Sequence, residues 1–122
     1  MIDHFGINVA DMPGSAHFYD HVLATLGYGR VMDFGEAIGY GPAQAAVFWI
    51  SSAAADASNR EAHIAFAAAD RSAVDAFHAA AVSLGAEVLH APREWPEYHD
   101  GYYGAFVRDP DGNNVEAVVH HS

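Results

Sequence analysis

The chain contains one motif twice, with its two copies 59 residues apart, and this internal repeat constrains the fold more than any other feature. Three pairs of residues coincide when the halves are aligned: His4 with His63, Asp11 with Asp70, and Phe18 with Phe77. In each half the histidine lies in a predicted strand, the aspartate precedes a predicted helix, and the phenylalanine faces inward on that helix. Two copies are too few for a solenoid, which usually needs about three or more units. We therefore predict two duplicated halves that share one core.

Hydrophobic patterning predicts the order βαβββ in the first half. Alternating apolar residues indicate a strand over 2–9, and apolar residues at helical spacing indicate a helix that begins at Pro13 and stops at Gly27. Short apolar runs separated by turn residues then predict three further strands, at 31–34, 37–40 and 45–50.

The second half repeats this order. A strand is predicted at 62–68 and a helix at 71–84, and the later strands are predicted at 87–90, 102–108 and 114–119. The last two strands flank a turn with the sequence Asp-Pro-Asp-Gly, which is a strong hairpin signal. We predict an α+β fold and one domain over 1–122, made of a module at 1–51, a linker at 52–60 and a module at 61–119.

The parity of side chains along the strands predicts a metal site. His4 lies on the strand face opposite to its bulky apolar neighbours, and His63 does the same in the second half. Glu116 lies in the last strand, and we expect it to converge with both histidines in a hollow lined by small or polar side chains. Two imidazoles and one carboxylate suit zinc, nickel, manganese or iron(II) and leave positions open for water or substrate.

Composition excludes several classes of function. The formal net charge is −11, and the five basic residues are all arginine, so the surface repels nucleic acid and anionic lipid. The chain has no cysteine and no lysine, which excludes a thiolate nucleophile and a Schiff base. Because no apolar run approaches about 18 residues, we predict no membrane span and expect a cytoplasmic protein.

Three motifs, in order along nearly the whole chain, carry a resemblance to a known family. They are His4 with Asn8–Asp11 and Phe18-Tyr19, then His63–Phe66, then Asp109–Asn113 ahead of Glu116. With these motifs, residues 1–119 resemble the vicinal oxygen chelate superfamily, which includes glyoxalase I, extradiol dioxygenases and bleomycin resistance proteins. The resemblance implies two βαβββ modules whose mixed sheets curl into a cup around a divalent metal, and it maps the metal ligands onto His4, His63 and Glu116.

The resemblance also implies a choice of functions. The leading hypothesis is a metal-dependent enzyme of lyase, isomerase or transferase type, whose small substrate chelates the ion through neighbouring oxygens. The alternatives are an iron(II) dioxygenase of extradiol type and a metal-free protein that sequesters a small ligand. Glyoxalase I carries a further carboxylate where this chain has Val47–Ile50, which favours a three-ligand site. Family members commonly form homodimers, sometimes with modules exchanged between chains, and we expect a homodimer here.

An aromatic segment from Arg93 to Tyr103 supplies further candidate site residues. His99 and Tyr103 are candidate proton-transfer groups, and the candidate substrate-binding residues are Trp49, Trp95, Tyr98 and Arg93. The segment is interpreted either as a lid over a substrate or as an aromatic plug that completes the core. Either Phe48 or Trp49 should line the cup, because the two alternate in one strand, and the sequence leaves that choice open.

Overall fold

A computed structural model describes residues 1–54 and 57–122 and contains the two predicted modules. The first consists of β1 (Phe5–Val9), α1 (Met12–Ala24), β2 (Gly29–Asp33), β3 (Ala37–Gly41) and β4 (Phe48–Ser52). The second consists of β5 (His63–Ala67), α2 (Arg71–Ser83), β6 (Val88–Glu94), β7 (Tyr103–Arg108) and β8 (Asn114–Val119). The α+β architecture of two βαβββ modules is therefore confirmed. The predicted linker includes Ala55 and Asp56, which lie outside the described residues.

Each module has its own four-stranded mixed sheet. The strand orders are β1-β4-β3-β2 and β5-β8-β7-β6. The first strand of each module pairs in parallel with the last, and the other pairs are antiparallel. As a consequence β1 and β5 are edge strands of their sheets. Neither of the two described helices is both long and apolar enough to cross a bilayer.

The two helices begin at equivalent positions but are capped differently. Asp70 accepts a hydrogen bond from the backbone N–H of Ala73, as predicted for an N-cap residue. Asp11 occupies the N-cap position of α1, but its side chain makes no capping hydrogen bond. At that end of α1 the carboxylate of Asp111, from the other module, accepts from the backbone N–H of Ala10. The turn before β8 therefore contributes to the start of α1.

The same turn also contacts the first module through a buried hydrogen bond. The buried Tyr19 hydroxyl of α1 donates to Asp109 at 2.6 Å, and Asp109 also accepts hydrogen bonds from the side chain and backbone of Asn113. Beside this contact, the rings of Phe48 and Phe66 pack edge to face at 5.2 Å between centroids. The Asp-Pro-Asp-Gly motif therefore serves to dock the two modules as well as to connect β7 with β8.

Strand β6 differs from its prediction. The sequence indicates a strand that ends at His90, whereas β6 continues through Pro92 to Glu94. Proline cannot donate a ladder hydrogen bond, but β6 is an edge strand, where one missing donor is tolerated. Its pairing with β7 shifts register on both sides of His90. The aromatic segment therefore begins within β6, and the loop that connects β6 with β7 is shorter than the sequence indicates.

Candidate functional site

The second sheet brings His63 and Glu116 together. In β5 the residues Ile64 and Phe66 enter the core, so His63 lies on the opposite face, and its side chain is 51% exposed. Glu116 lies on the same face of β8 but is almost fully buried, with 1% of its surface exposed. His63 Nε2 and Glu116 Oε1 are 3.1 Å apart. Two of the three predicted metal ligands therefore form a contact pair.

Tyr102 supports the carboxylate of this pair. Its hydroxyl donates a short hydrogen bond to Oε2 of Glu116. Burial raises the pKa of the Glu116 carboxyl above its ordinary value, although Tyr102 and His63 oppose that rise. Gly104 leaves room for the arrangement, because a side-chain carbon at this position would lie 3.1 Å from Oε2. Tyr102 and His63 therefore hold the carboxylate in place.

The chemistry of the pair fits a divalent cation. His63 Nδ1 lies 3.2 Å from the backbone oxygen of Asn114, and since a carbonyl can only accept, Nδ1 must donate its proton there. In the neutral ring Nε2 then carries a lone pair directed at Glu116 Oε1, itself an acceptor. Two facing acceptors repel unless a proton or a cation lies between them. A carbonyl that binds the Nδ1 proton of a histidine is also the usual partner that orients a metal-ligating imidazole.

His4 is not part of this pair within one chain. It immediately precedes β1, its side chain is 60% exposed, and its Nδ1 contacts Asp3 Oδ1 at 2.7 Å. It borders a mainly apolar groove of about 330 Å³ that also includes Tyr28 and the β5 residues 65–67. Within residues 1–54 and 57–122, no three His, Cys, Asp or Glu side chains are grouped closely enough to hold an ion. The predicted three-ligand set is therefore not assembled by the described part of a single chain.

The structure resolves which residue of β4 faces away from the core. Phe48 is 1% exposed and packs among core aromatics, whereas Trp49 lies on the opposite face. Its indole crosses Gly39, where a side-chain carbon would come within 2.8 Å of the ring. Phe34, which is 71% exposed, lies nearly parallel to the indole at 6.2 Å. The side of the first sheet that faces away from α1 therefore carries an accessible aromatic pair.

The predicted substrate-binding residues of the aromatic segment form a stack on the second sheet. Trp95 is 5% exposed, donates its indole N–H to the backbone oxygen of Gly104, and packs against Phe106. Tyr98 lies parallel to Trp95 and is 56% exposed, while the guanidinium of Arg93 covers the indole at 3.4 Å. Trp95 is thus buried against Phe106 on the sheet face that carries Glu116, outside the main core, and Tyr98 is left accessible.

The two predicted proton-transfer groups lie in different places. Tyr103 faces α2, where its hydroxyl donates to Asp75 at 2.7 Å, so the structure does not bring it to the His63–Glu116 pair. His99 packs against Tyr102 and is therefore one side chain away from Glu116.

Two residues of this region, Tyr102 and His120, were not among the predicted site residues. His99 Nδ1 lies 2.7 Å from the backbone oxygen of Asp100, and His99 Nε2 shares a hydrogen bond of 2.9 Å with Nδ1 of His120. Counting strand parity outward from the hairpin turn would have placed both residues on the face of Glu116.

Comparisons with known proteins agree with this architecture. Residues 1–117 match the model of the Glyoxalase/Bleomycin resistance protein/Dioxygenase superfamily. A glyoxalase/bleomycin resistance protein from Albidiferax ferrireducens T118 is 30% identical, with a TM-score of 0.83 and coverage of 95% of this chain and 96% of that one. No significant match is found among curated proteins.

More distant structures share the fold. A lactoylglutathione lyase from Agrobacterium tumefaciens is 23% identical, with a TM-score of 0.70 over 97% of this chain and 92% of that one. A glyoxalase/dioxygenase from Nostoc punctiforme is 18% identical, with a TM-score of 0.75 over 100% and 92%. By the family match and the 30% identical relative, the chain belongs to the Glyoxalase/Bleomycin resistance protein/Dioxygenase superfamily.

Proposed function

We propose that this protein is a divalent-metal-dependent enzyme that acts on a small substrate through two neighbouring oxygens. The observation that carries the proposal is the His63–Glu116 pair, in which the imidazole Nε2 and the carboxylate Oε1 lie 3.1 Å apart on one face of the second sheet. The backbone of Asn114 fixes the tautomer of His63, and Tyr102 fixes the carboxylate. A cation between the two atoms satisfies both of them.

We propose further that the third ligand is His4 from a second copy of the chain, in a homodimer. His4 is exposed and lies at an edge strand, and β5, which carries His63, is the corresponding edge strand of the other sheet. Exposed strand edges and the apolar groove between residues 2–5 and 65–67 both favour burial against another copy. A twofold dimer would form two equivalent sites, each with ligands from both chains.

In this proposal the residues of the chain have separable roles. His63, Glu116 and the second copy's His4 would hold the ion, which when bound would act as a Lewis acid towards the oxygens of the substrate. Tyr102 keeps the carboxylate oriented. His120, which is hydrogen-bonded to His99 and packs against Tyr102, is the candidate group for proton transfer with the substrate.

Metal binding by protein purified without an affinity tag tests the proposal. We expect about one equivalent of zinc, nickel or manganese per chain, and a loss of at least about tenfold in affinity for His63→Ala and Glu116→Gln. His17→Ala is a matched control, because this histidine lies on α1 and contacts His21 rather than the pair. Binding below about a tenth of an equivalent in the unaltered protein would contradict the proposal.

Mixed dimers test the shared site. A dimer of one His4→Ala chain and one Glu116→Gln chain contains one intact set of ligands and one doubly defective set. Random assembly of co-expressed variants should therefore restore about a quarter of the sites, although each variant alone binds poorly. If each site instead belonged to one chain, mixing would restore none.

The accessible aromatic residues support a second candidate function, the sequestering of a planar apolar ligand without a metal. Phe34 on Trp49 and Tyr98 on Trp95 present two aromatic surfaces, one on each sheet. A sequestering protein would keep its ligand affinity in the Glu116→Gln variant, whereas the enzyme would lose metal and turnover together.

A further inference from the structure

Asn114 opens β8 beside the His63–Glu116 pair, and its side-chain oxygen is buried without a hydrogen-bond partner. It is directly opposite His63 in the parallel pairing of β5 with β8 and two residues before Glu116. Because side chains alternate along a strand, all three residues share one face of the sheet. The unpartnered oxygen therefore belongs to the surroundings of the proposed metal site.

The neighbouring Asn113 shows what a structural asparagine does in this turn. Its side-chain oxygen accepts from the side chain of Asn59 and the backbone N–H of Ala62, and its amide nitrogen donates to Asp109. Asn113 is fully buried and every polar atom of its side chain is used. The turn is therefore already stabilised by Asn113, and the amide of Asn114 adds nothing to it.

Asn114 is unfavourable for folding in two respects. Asparagine is a poor strand former, and a buried acceptor without a donor destabilises the folded state relative to a satisfied one. An apolar side chain of similar shape would avoid both costs. A buried polar atom that the fold does not satisfy calls for a partner from outside the chain, such as a bound water or a ligand group.

We propose that the Asn114 side-chain oxygen accepts a hydrogen bond from an O–H group bound beside His63, and that this contact makes the site select ligands that retain a hydroxyl proton. The inference rests on the proposed function. An uncharged carbonyl can only accept, so it favours water or a hydroxyl and disfavours an ether or carboxylate oxygen at the same place. The backbone oxygen of the same residue orients His63, so Asn114 acts both on the imidazole and on what binds next to it.

The experiment compares Asn114→Leu with the control Asn113→Leu. In metal-free protein, thermal unfolding should leave Asn114→Leu as stable as the unaltered protein or more stable, because an unsatisfied acceptor is removed. Asn113→Leu should be clearly destabilised, because it leaves several buried partners without bonds. A matching loss of stability in both variants would overturn the inference, since Asn114 would then be structural.

Binding measurements give the second readout. Zinc is titrated alone into each protein, and catechol and its monomethyl ether are then titrated into the zinc-loaded forms. If a bound water is the donor, we expect Asn114→Leu to weaken zinc binding by about tenfold. If a ligand hydroxyl is the donor, we expect Asn114→Leu to remove a preference of about tenfold for catechol over the ether. Asn114→Val, which suits a strand, should behave in the same way if the leucine variant folds poorly.

The outcomes separate this inference from the proposed function. Unchanged zinc affinity together with an unchanged catechol preference in the variants would overturn the role of Asn114 alone. Failure of the unaltered protein to bind zinc, nickel or manganese would overturn the metal proposal and this inference with it.

Discussion

The hydrogen bond from Tyr19 to Asp109 allows a quantitative test of how the two modules are held together. The Tyr19→Phe substitution removes one hydroxyl and leaves the ring, so packing of the aromatic core is preserved. Both residues are buried, at 0% and 5% exposure, and the bond of 2.6 Å ends on a carboxylate. A buried hydrogen bond to a charged group contributes about 1.5–3 kcal/mol.

The remaining partners of Asp109 place the cost in the lower part of that range. Its carboxylate keeps three donors after the substitution: the backbone N–H groups of Asp111 and Asn113 and the side-chain amide of Asn113. We therefore expect a loss of about 1.5–2 kcal/mol in the free energy of unfolding. Since unfolding entropy is roughly 2 cal/mol/K per residue, a chain of 122 residues should lose about 6–8 °C in Tm.

Tyr28→Phe is the matched control. The Tyr28 hydroxyl also crosses between the modules, donating to the backbone oxygen of Ala67 at 3.1 Å, but it is exposed and its acceptor is neutral. Removing it should cost no more than about 0.5 kcal/mol, because water replaces the bond. Urea unfolding measures both variants at a protein concentration low enough to keep the chain monomeric, because Tyr28 borders the groove that the proposed dimer would cover. Equal losses in the two variants, or a loss below about 0.5 kcal/mol for Tyr19→Phe, would refute the reasoning.

Three further predictions concern the caps and the site. Hydrogen bonds from Ser72 and Ala73 lower the pKa of Asp70, so its capping stabilises the fold above the unfolded-state pKa of about 4 and is lost as pH falls through the lower folded-state value. Asp70→Ala should therefore lower Tm at neutral pH, and Tm measured across pH should converge with that of the unaltered protein in acid. Burial raises the pKa of Glu116, so Glu116→Gln should leave metal-free protein at least equally stable by calorimetry while zinc titration shows lost affinity; clear destabilisation would contradict this. Gly39→Val should displace the Trp49 indole and shift its fluorescence, and an unchanged emission spectrum would count against the packing described.

Local patterns in the sequence were sufficient to predict the elements of the fold. Alternation and helical spacing are properties of neighbouring residues, and they indicated both helices and all eight strands in the correct order. The end of β6 could not be predicted in this way, because Pro92 breaks a strand pattern unless the strand is known to be at an edge. Which strand is at an edge depends on pairing between distant segments.

The candidate site was predictable in part. Side-chain parity correctly placed His63 and Glu116 on one face of the sheet, because the alternation of side chains can be counted within a single strand. Placing Tyr102 and Tyr103 on their faces of the sheet required the register of the last hairpin. Since Arg108 pairs with Asn114, every second residue away from the turn shares one face, which puts Tyr102 with Glu116 and leaves Tyr103 against α2.

The position of His4 relative to His63 and Glu116 cannot be predicted by counting alternating side chains along a strand. Within the described residues, the two sheets are joined by packing, by the hydrogen bonds of one turn and by the Tyr28 hydroxyl, and no strand of one module pairs with a strand of the other. If β1 paired with β5, the alternation of side chains in one strand would fix which side chains of the other strand lie on the same face. Side-chain packing transmits no such register. The same internal repeat is therefore compatible with a site inside one chain and with a site between two, and only the module contacts, anchored at Tyr19 and Asp109, select between them.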